Sequence, residues 1–125
     1  MARRDITGAV DFAHLETYAA GDGEVIDEVL SIFREQASIW LRLLDADGPA
    51  DIWRDGAHTL KGAALGVGAF ALAKACAQAE EGAALPSGAR AGLRHAVEDA
   101  LKLALADIAA YAHERALQGL KTPGR

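Results

Sequence analysis

Ile52-Trp53-Arg54-Asp55-Gly56-Ala57-His58-Thr59-Leu60-Lys61-Gly62-Ala63-Ala64-Leu65-Gly66-Val67 is the stretch whose reading decides the fold. Place His58 at the origin and step about 100° per residue around a helix. Ile52, Trp53, Ala57, Leu60, Ala63, Ala64 and Val67 then all fall on the far side. They make a wide apolar face, which is the core side. His58 lies close to the centre of the opposite side, so an imidazole standing in water at mid-helix is predicted. Lys61 follows one turn on and slightly to one side, and Arg54 sits one turn back on the same flank. Gly62 and Gly66 occupy the other flank, and Leu65 comes round almost in line with His58.

Glycine inside a helix costs about 1 kcal/mol relative to alanine, yet this one stretch holds Gly56, Gly62 and Gly66. Gly56 points to the core side, where it allows close helix packing. Gly62 and Gly66 point outward, where packing explains nothing. Bare backbone there opens a path for another protein surface to reach the imidazole. Leu65 gives that surface something to bury.

Outward from this helix, Pro49 fits its first position, where a missing N–H costs nothing, and Gly68 allows a sharp break after Val67. Upstream, Asp11 caps a short helix with Phe12, Leu15 and Ala19 on one side, ended by Gly21. Asp22 caps a longer helix to about Leu44, with Ile26, Val29, Leu30, Phe33, Ala37, Trp40 and Leu44 as its buried stripe. Downstream, a helix from Ala69 to Glu81 puts Leu72, Cys76 and Ala79 on one face. A loop from Gly82 to Gly88 follows, in which Ser87 is a candidate cap. The last helix runs to about Leu117 on a stripe of Leu93, Val97, Leu101, Ala104, Ile108 and Tyr111. Short connections imply antiparallel neighbours. The expected fold is therefore all-α: an antiparallel up-down four-helix bundle over residues 11–117 with a short additional N-terminal helix. Residues 1–10 read as an arm and 118–125 as a flexible tail.

Composition agrees. The 125-residue chain suffices for one domain, and its apolar half is rich in alanine and poor in proline. A net charge of −5 with no basic patch argues against nucleic acid. Cys76 is the sole cysteine, which suits a reducing, cytoplasmic setting. No run reaches the roughly 18 apolar residues of a membrane span, so a soluble, intracellular protein is expected.

The chemistry of the His58 stretch follows from its groups. Neutral imidazole is nucleophilic near pH 7 and can attack phosphorus to form a labile phosphoimidazole. Lys61, at i+3, can offset the charge of the added oxygens. No Gly-x-x-x-x-Gly-Lys loop, no Gly-x-Gly-x-x-Gly and no carboxylate cluster for Mg²⁺ occurs. Such a chain can carry a phosphoryl group without drawing one from ATP. It needs no cofactor of its own, and the metal and acidic pocket fall to a partner.

These residues resemble the histidine phosphotransfer (HPt) family of two-component phosphorelays, whose core pattern is Ala-His-x-Leu-Lys-Gly with a glycine ten residues after the histidine. Here those positions are Ala57, His58, Leu60, Lys61, Gly62 and Gly68. Gly21-Asp22, Phe33, and the run Leu72, Cys76, Glu80 resemble further family features. The resemblance implies a helical bundle in which His58 accepts a phosphoryl group and exchanges it with the aspartate of a response-regulator receiver domain. It also implies Lys61 as supporting cation, Gly62 as the clearance residue and Glu80 as a hydrogen-bond partner of the imidazole. Arg54, Leu65 and Gly66 are then partner-binding candidates. Position 66 is glycine where many relatives place a small polar residue.

Other readings compete. Glu80 alone is equally a surface charge, and Cys76 and Trp53 read as core. His14, His95 and His113 have no comparable setting and no second ligand at metal spacing. A histidine-kinase dimerisation domain would place an acidic residue and a nearby proline after its histidine; Thr59 and the proline-free run to Leu85 speak against it. A non-catalytic helical interaction module would be indifferent to His58. The favoured expectation is a monomeric phosphoryl carrier, not an enzyme, served by receiver domains and a hybrid sensor kinase.

Overall fold

The computed structural model describes residues 7–121. Five helices follow in order: α1 (Phe12–Tyr18), α2 (Gly23–Arg42), α3 (Ala50–Val67), α4 (Phe70–Glu81) and α5 (Ser87–Lys121), with no strand among the described residues. Helix α3 packs between α2 and α4, and α5 closes the ring against α4 and, more thinly, α2. The result is an antiparallel four-helix bundle with α1 laid across one end.

The helix boundaries have local causes. Asp11 accepts from the His14 N–H and opens α1, and Asp22 accepts from the Glu24 and Val25 N–H groups and opens α2. The chain reverses between them through Ala20 and Gly21, both at positive φ. Gly68 closes α3 in the left-handed conformation at φ 85°. A Cβ on Gly68 would stand 2.7 Å from the Asp11 carbonyl oxygen. The Asp11 N–H donates to the Gly68 carbonyl at 2.9 Å, so one glycine ends α3 and seats the start of α1.

The core is built mainly from the expected stripes, with Val29, Trp40 and Leu93, expected inside, only half-buried at its edge. Phe12, Leu15, Ile26, Leu30, Phe33, Trp53, Leu60, Leu72, Val97, Leu101 and Ile108 are all buried. Phe12 and Tyr111 stack with ring centroids 4.0 Å apart, and the Tyr111 hydroxyl donates to Glu16 at 2.7 Å. These contacts fix α1 to α5.

Several sequence expectations are corrected. Pro49 is the N-cap, extended at ψ 141°, and α3 begins at Ala50. Helix α2 stops at Arg42, so Leu44 is buried from the turn that follows. Ile52 is exposed, because it lies at the edge of the apolar arc in the first turn of α3, where α2 has already ended. Ser87 begins α5, and its hydroxyl donates to Asp47 at 2.7 Å, tying the two loops at that end together. Helix α5 passes Leu117 and continues to Lys121, since Gly119 weakens a helix without ending it. Of the expected arm, Thr7 to Val10 are fastened to the bundle. Asp107, fully buried on α5, accepts from the backbone N–H groups of Thr7, Gly8 and Val10 and from the Thr7 hydroxyl. Residues 1–6 of the arm and 122–125 of the tail lie outside the described residues. No helix among the described residues is long and apolar enough to cross a membrane.

Candidate functional site

His58 stands near the middle of α3 on its outer face, with about two-thirds of its side chain exposed (67%). Its helix is held from behind by Trp53, Ala57, Leu60 and Ala64, all buried. Gly56 lets α2 come close: a Cβ there would meet the Leu43 side chain at 2.7 Å and the Trp40 carbonyl oxygen at 3.4 Å. The three glycines of α3 thus divide as their positions on the helix predict, with Gly56 packed and the other two facing open space.

Glu80, from the last turn of α4, is the hub of the site. One carboxylate oxygen lies 2.9 Å from His58 Nδ1, and the other accepts from Lys61 Nζ at 2.7 Å. The bond from Lys61, above all, holds the Glu80 carboxyl below the usual glutamate range, and the bond from His58 adds to it; partial burial pulls the other way. The group is therefore an anion at neutral pH, and an ionised carboxylate can only accept hydrogen bonds. Nδ1 must then carry the proton of the neutral ring. The lone pair is left on Nε2, for which no hydrogen-bond partner stands among the described residues. A carboxylate in this place settles the tautomer of the histidine it touches.

The flanks differ. On the side toward α4 stand Lys61, about 29% exposed, and the exposed Arg54. On the other side a Cβ at Gly62 or Gly66 would meet nothing within 4 Å. Leu65 is half exposed beside the histidine. On α2, Ile39 and Ile32 share a helix face with Leu43, which packs on α3, and all three are exposed. Beneath the polar cluster Cys76 is fully buried, and burial pushes its thiol up to about 12, so it is inert. Among the described residues no group of three or more His, Cys, Asp or Glu side chains is placed to hold a metal ion.

A family model described as the Hpt domain matches residues 24–113. The chain belongs to the Hpt family. Among solved structures, the crystal structure of the histidine phosphotransferase ShpA from Caulobacter crescentus matches with 53% sequence identity, covering 90% of this chain and 99% of that one at a TM-score of 0.75. No curated protein matches the chain. As an Hpt domain it is a histidine phosphotransfer carrier of the phosphorelay type, a carrier and not a conventional enzyme, and Hpt domains work with response-regulator receivers. The matched segment contains all of α3 and α4, and with them His58, Lys61, Gly62 and Glu80.

Two features of the structure were not read from the sequence. Trp53, which its helix position marks only as core, donates its indole N–H to the Ala79 carbonyl at 2.7 Å, next to Glu80. A helix wheel shows which face a residue occupies but not which atom of another helix it meets. Asp107 fastens the N-terminal segment. A signal for it existed, since it falls between Ala104 and Tyr111 at helical spacing on an otherwise apolar stripe.

Proposed function

We propose that His58 Nε2 is the phosphoacceptor. The Nε2 lone pair attacks the phosphorus of a receiver's aspartyl phosphate. A P–N bond forms, the P–O bond to the aspartate breaks, and the aspartate leaves as a carboxylate. The ring then carries positive charge, which Glu80 offsets through the Nδ1–H it already holds. The reverse sequence returns the group to a second receiver. Lys61, one helical turn from His58 and paired with Glu80 in the unphosphorylated protein, is positioned to turn toward the phosphoryl oxygens once they add negative charge.

Gly62 and Gly66 keep the approach to Nε2 clear, and Leu65 and Arg54 contact the incoming receiver. Such a carrier needs no nucleotide site and no cofactor of its own. The receiver supplies the Mg²⁺ and the acidic pocket, and a hybrid sensor kinase is a fitting upstream source. The protein acts as a cytoplasmic monomer in this reading.

The observation that supports it best is the ring itself: exposed at mid-helix, with Nδ1 tied to a carboxylate and Nε2 unencumbered. Incubation with a phosphorylated receiver provides the test. His58→Gln should keep the helical fold and lose acid-labile labelling. Full labelling of the variant would end this assignment.

A further inference from the structure

Trp53 lies on the side of α3 away from His58, has no exposed surface, and touches none of the reacting atoms. Its indole Nε1–H donates to the Ala79 carbonyl at 2.7 Å. That carbonyl belongs to the peptide unit whose nitrogen is that of Glu80. The bond therefore acts on the rigid plane from which the Glu80 residue starts.

The place is a vulnerable one. Helix α4 ends at Glu81, and carbonyls of a final turn lack the partners that a continuing helix would supply. Within the chain, the Gly82 N–H is divided between the Gln78 carbonyl at 3.0 Å and the Ala79 carbonyl at 3.1 Å, and shared bonds of this kind are typical of helix ends. The indole bond is shorter and comes from a different helix. The ring that makes it is itself fixed. The Arg90 guanidinium lies over it, 5.3 Å from the centroid, and donates to the Gly48 carbonyl at 3.1 Å. The remaining Arg90 nitrogens, Nε and Nη1, are buried without a hydrogen-bond partner, so the aromatic face is the compensation they have.

We propose that Trp53 is a positioning residue for phosphoryl transfer: its indole N–H anchors the Ala79–Glu80 peptide and so keeps the Glu80 carboxylate on His58 Nδ1, leaving Nε2 as the reactive nitrogen. Helix α3 thereby holds Glu80 from two sides, through Trp53 at the backbone and through His58 and Lys61 at the carboxylate. The inference rests on His58 being the phosphoacceptor, but its readout needs no phosphorylation.

Trp53→Phe keeps most of the ring and removes the N–H. The ¹⁵N resonances of the His58 ring, recorded on the unphosphorylated full chain at a pH where the ring is neutral, report the tautomer ratio. Trp53→Phe should lower the ratio of Nδ1–H to Nε2–H by roughly threefold or more, since a hydrogen bond to a charged group is being loosened. The rate of transfer from a phosphorylated receiver should fall in step. Leu15→Ala, a core change on α1, should lower stability and leave the ratio unchanged. In a Glu80→Gln background Trp53→Phe should produce no further change. Should the phenylalanine chain not fold, benzothienyl-alanine at position 53 of a Trp40→Phe chain keeps the shape of the indole, lacks its N–H and gives the same readout. An unchanged ratio in the chain lacking the N–H, or an equal change in Leu15→Ala, overturns the proposal. Labelling of His58→Gln would instead overturn the phosphoacceptor assignment and leave the tautomer result standing.

Discussion

Replacing Gly62 with glutamine separates what the helix wants from what docking wants. A Cβ at this position meets nothing within 4 Å, so the new side chain projects into solvent without a clash. The helix should gain about 0.5–1 kcal/mol from the better propensity of glutamine. In a domain of this size that raises Tm by roughly 2–5 °C. Docking responds in the opposite direction. Position 62 is one turn after His58, so its side chain would root about 5–6 Å from that of the histidine. A receiver must bring its phosphorylated aspartate to about 3–3.5 Å from Nε2, and a glutamine there sweeps that approach. Loss of about 1.4–2.7 kcal/mol of productive docking makes transfer some 10- to 100-fold slower. Gly62→Ala should give a similar rise in Tm with a smaller kinetic loss, because a methyl group intrudes less. Thermal melts followed by circular dichroism give the first quantity, and the decay of labelled phosphoreceiver on mixing gives the second. A stabilised Gly62→Gln protein that transfers at the wild-type rate would refute the clearance reasoning.

Two other perturbations have definite signs. Glu80 has its carboxyl held below the ordinary value of 4.5, first by Lys61 and then by His58. Its contribution to stability is therefore fully present above that value and is lost as pH falls through the lower, folded-state one. The stability difference between wild type and Glu80→Gln should shrink as pH falls below the ordinary glutamate value of 4.5; a difference that persists unchanged to about pH 2 contradicts the ion-pair geometry. Asp107→Ala removes the acceptor of the Thr7, Gly8 and Val10 N–H groups, of which the Val10 bond is buried. Urea unfolding should show a loss of about 2–4 kcal/mol, and limited proteolysis should begin to cut near residues 7–10; a loss under about 0.5 kcal/mol would mean that the anchor is ornamental.

Much of this site was legible because α3 is a regular helix with a strong apolar face. Once Trp53, Ala57, Leu60, Ala64 and Val67 define the inside, the outward direction of His58 follows from angular position alone. The opposite fates of Gly56 and Gly62 follow in the same way, with no partner helix specified. Contacts between helices were less accessible. From sequence, Glu80 was equally a surface charge and a partner of the imidazole, because its reach depends on how the last turn of α4 sits against α3. Trp53 was placed correctly in the core, yet its N–H acts on a carbonyl 26 residues away, which no periodicity encodes. Ile52 was misplaced because a helix wheel treats every turn as equally covered, whereas α2 has ended before it could shield the first turn of α3. Asp107 was readable only in part: a carboxylate on an apolar stripe needs donors, but those donors, Thr7, Gly8 and Val10, lie 97 to 100 residues away and no periodicity names them.

The most direct measurement is ³¹P–¹⁵N correlation on the full chain after phosphorylation by a receiver domain, with the four histidines assigned. Phosphorus should couple to Nε2 of His58, with a proton still on Nδ1. Coupling to Nδ1 of that ring, or to a ring nitrogen of His14, His95 or His113, would contradict the assignment of the phosphoacceptor and the role given to Glu80.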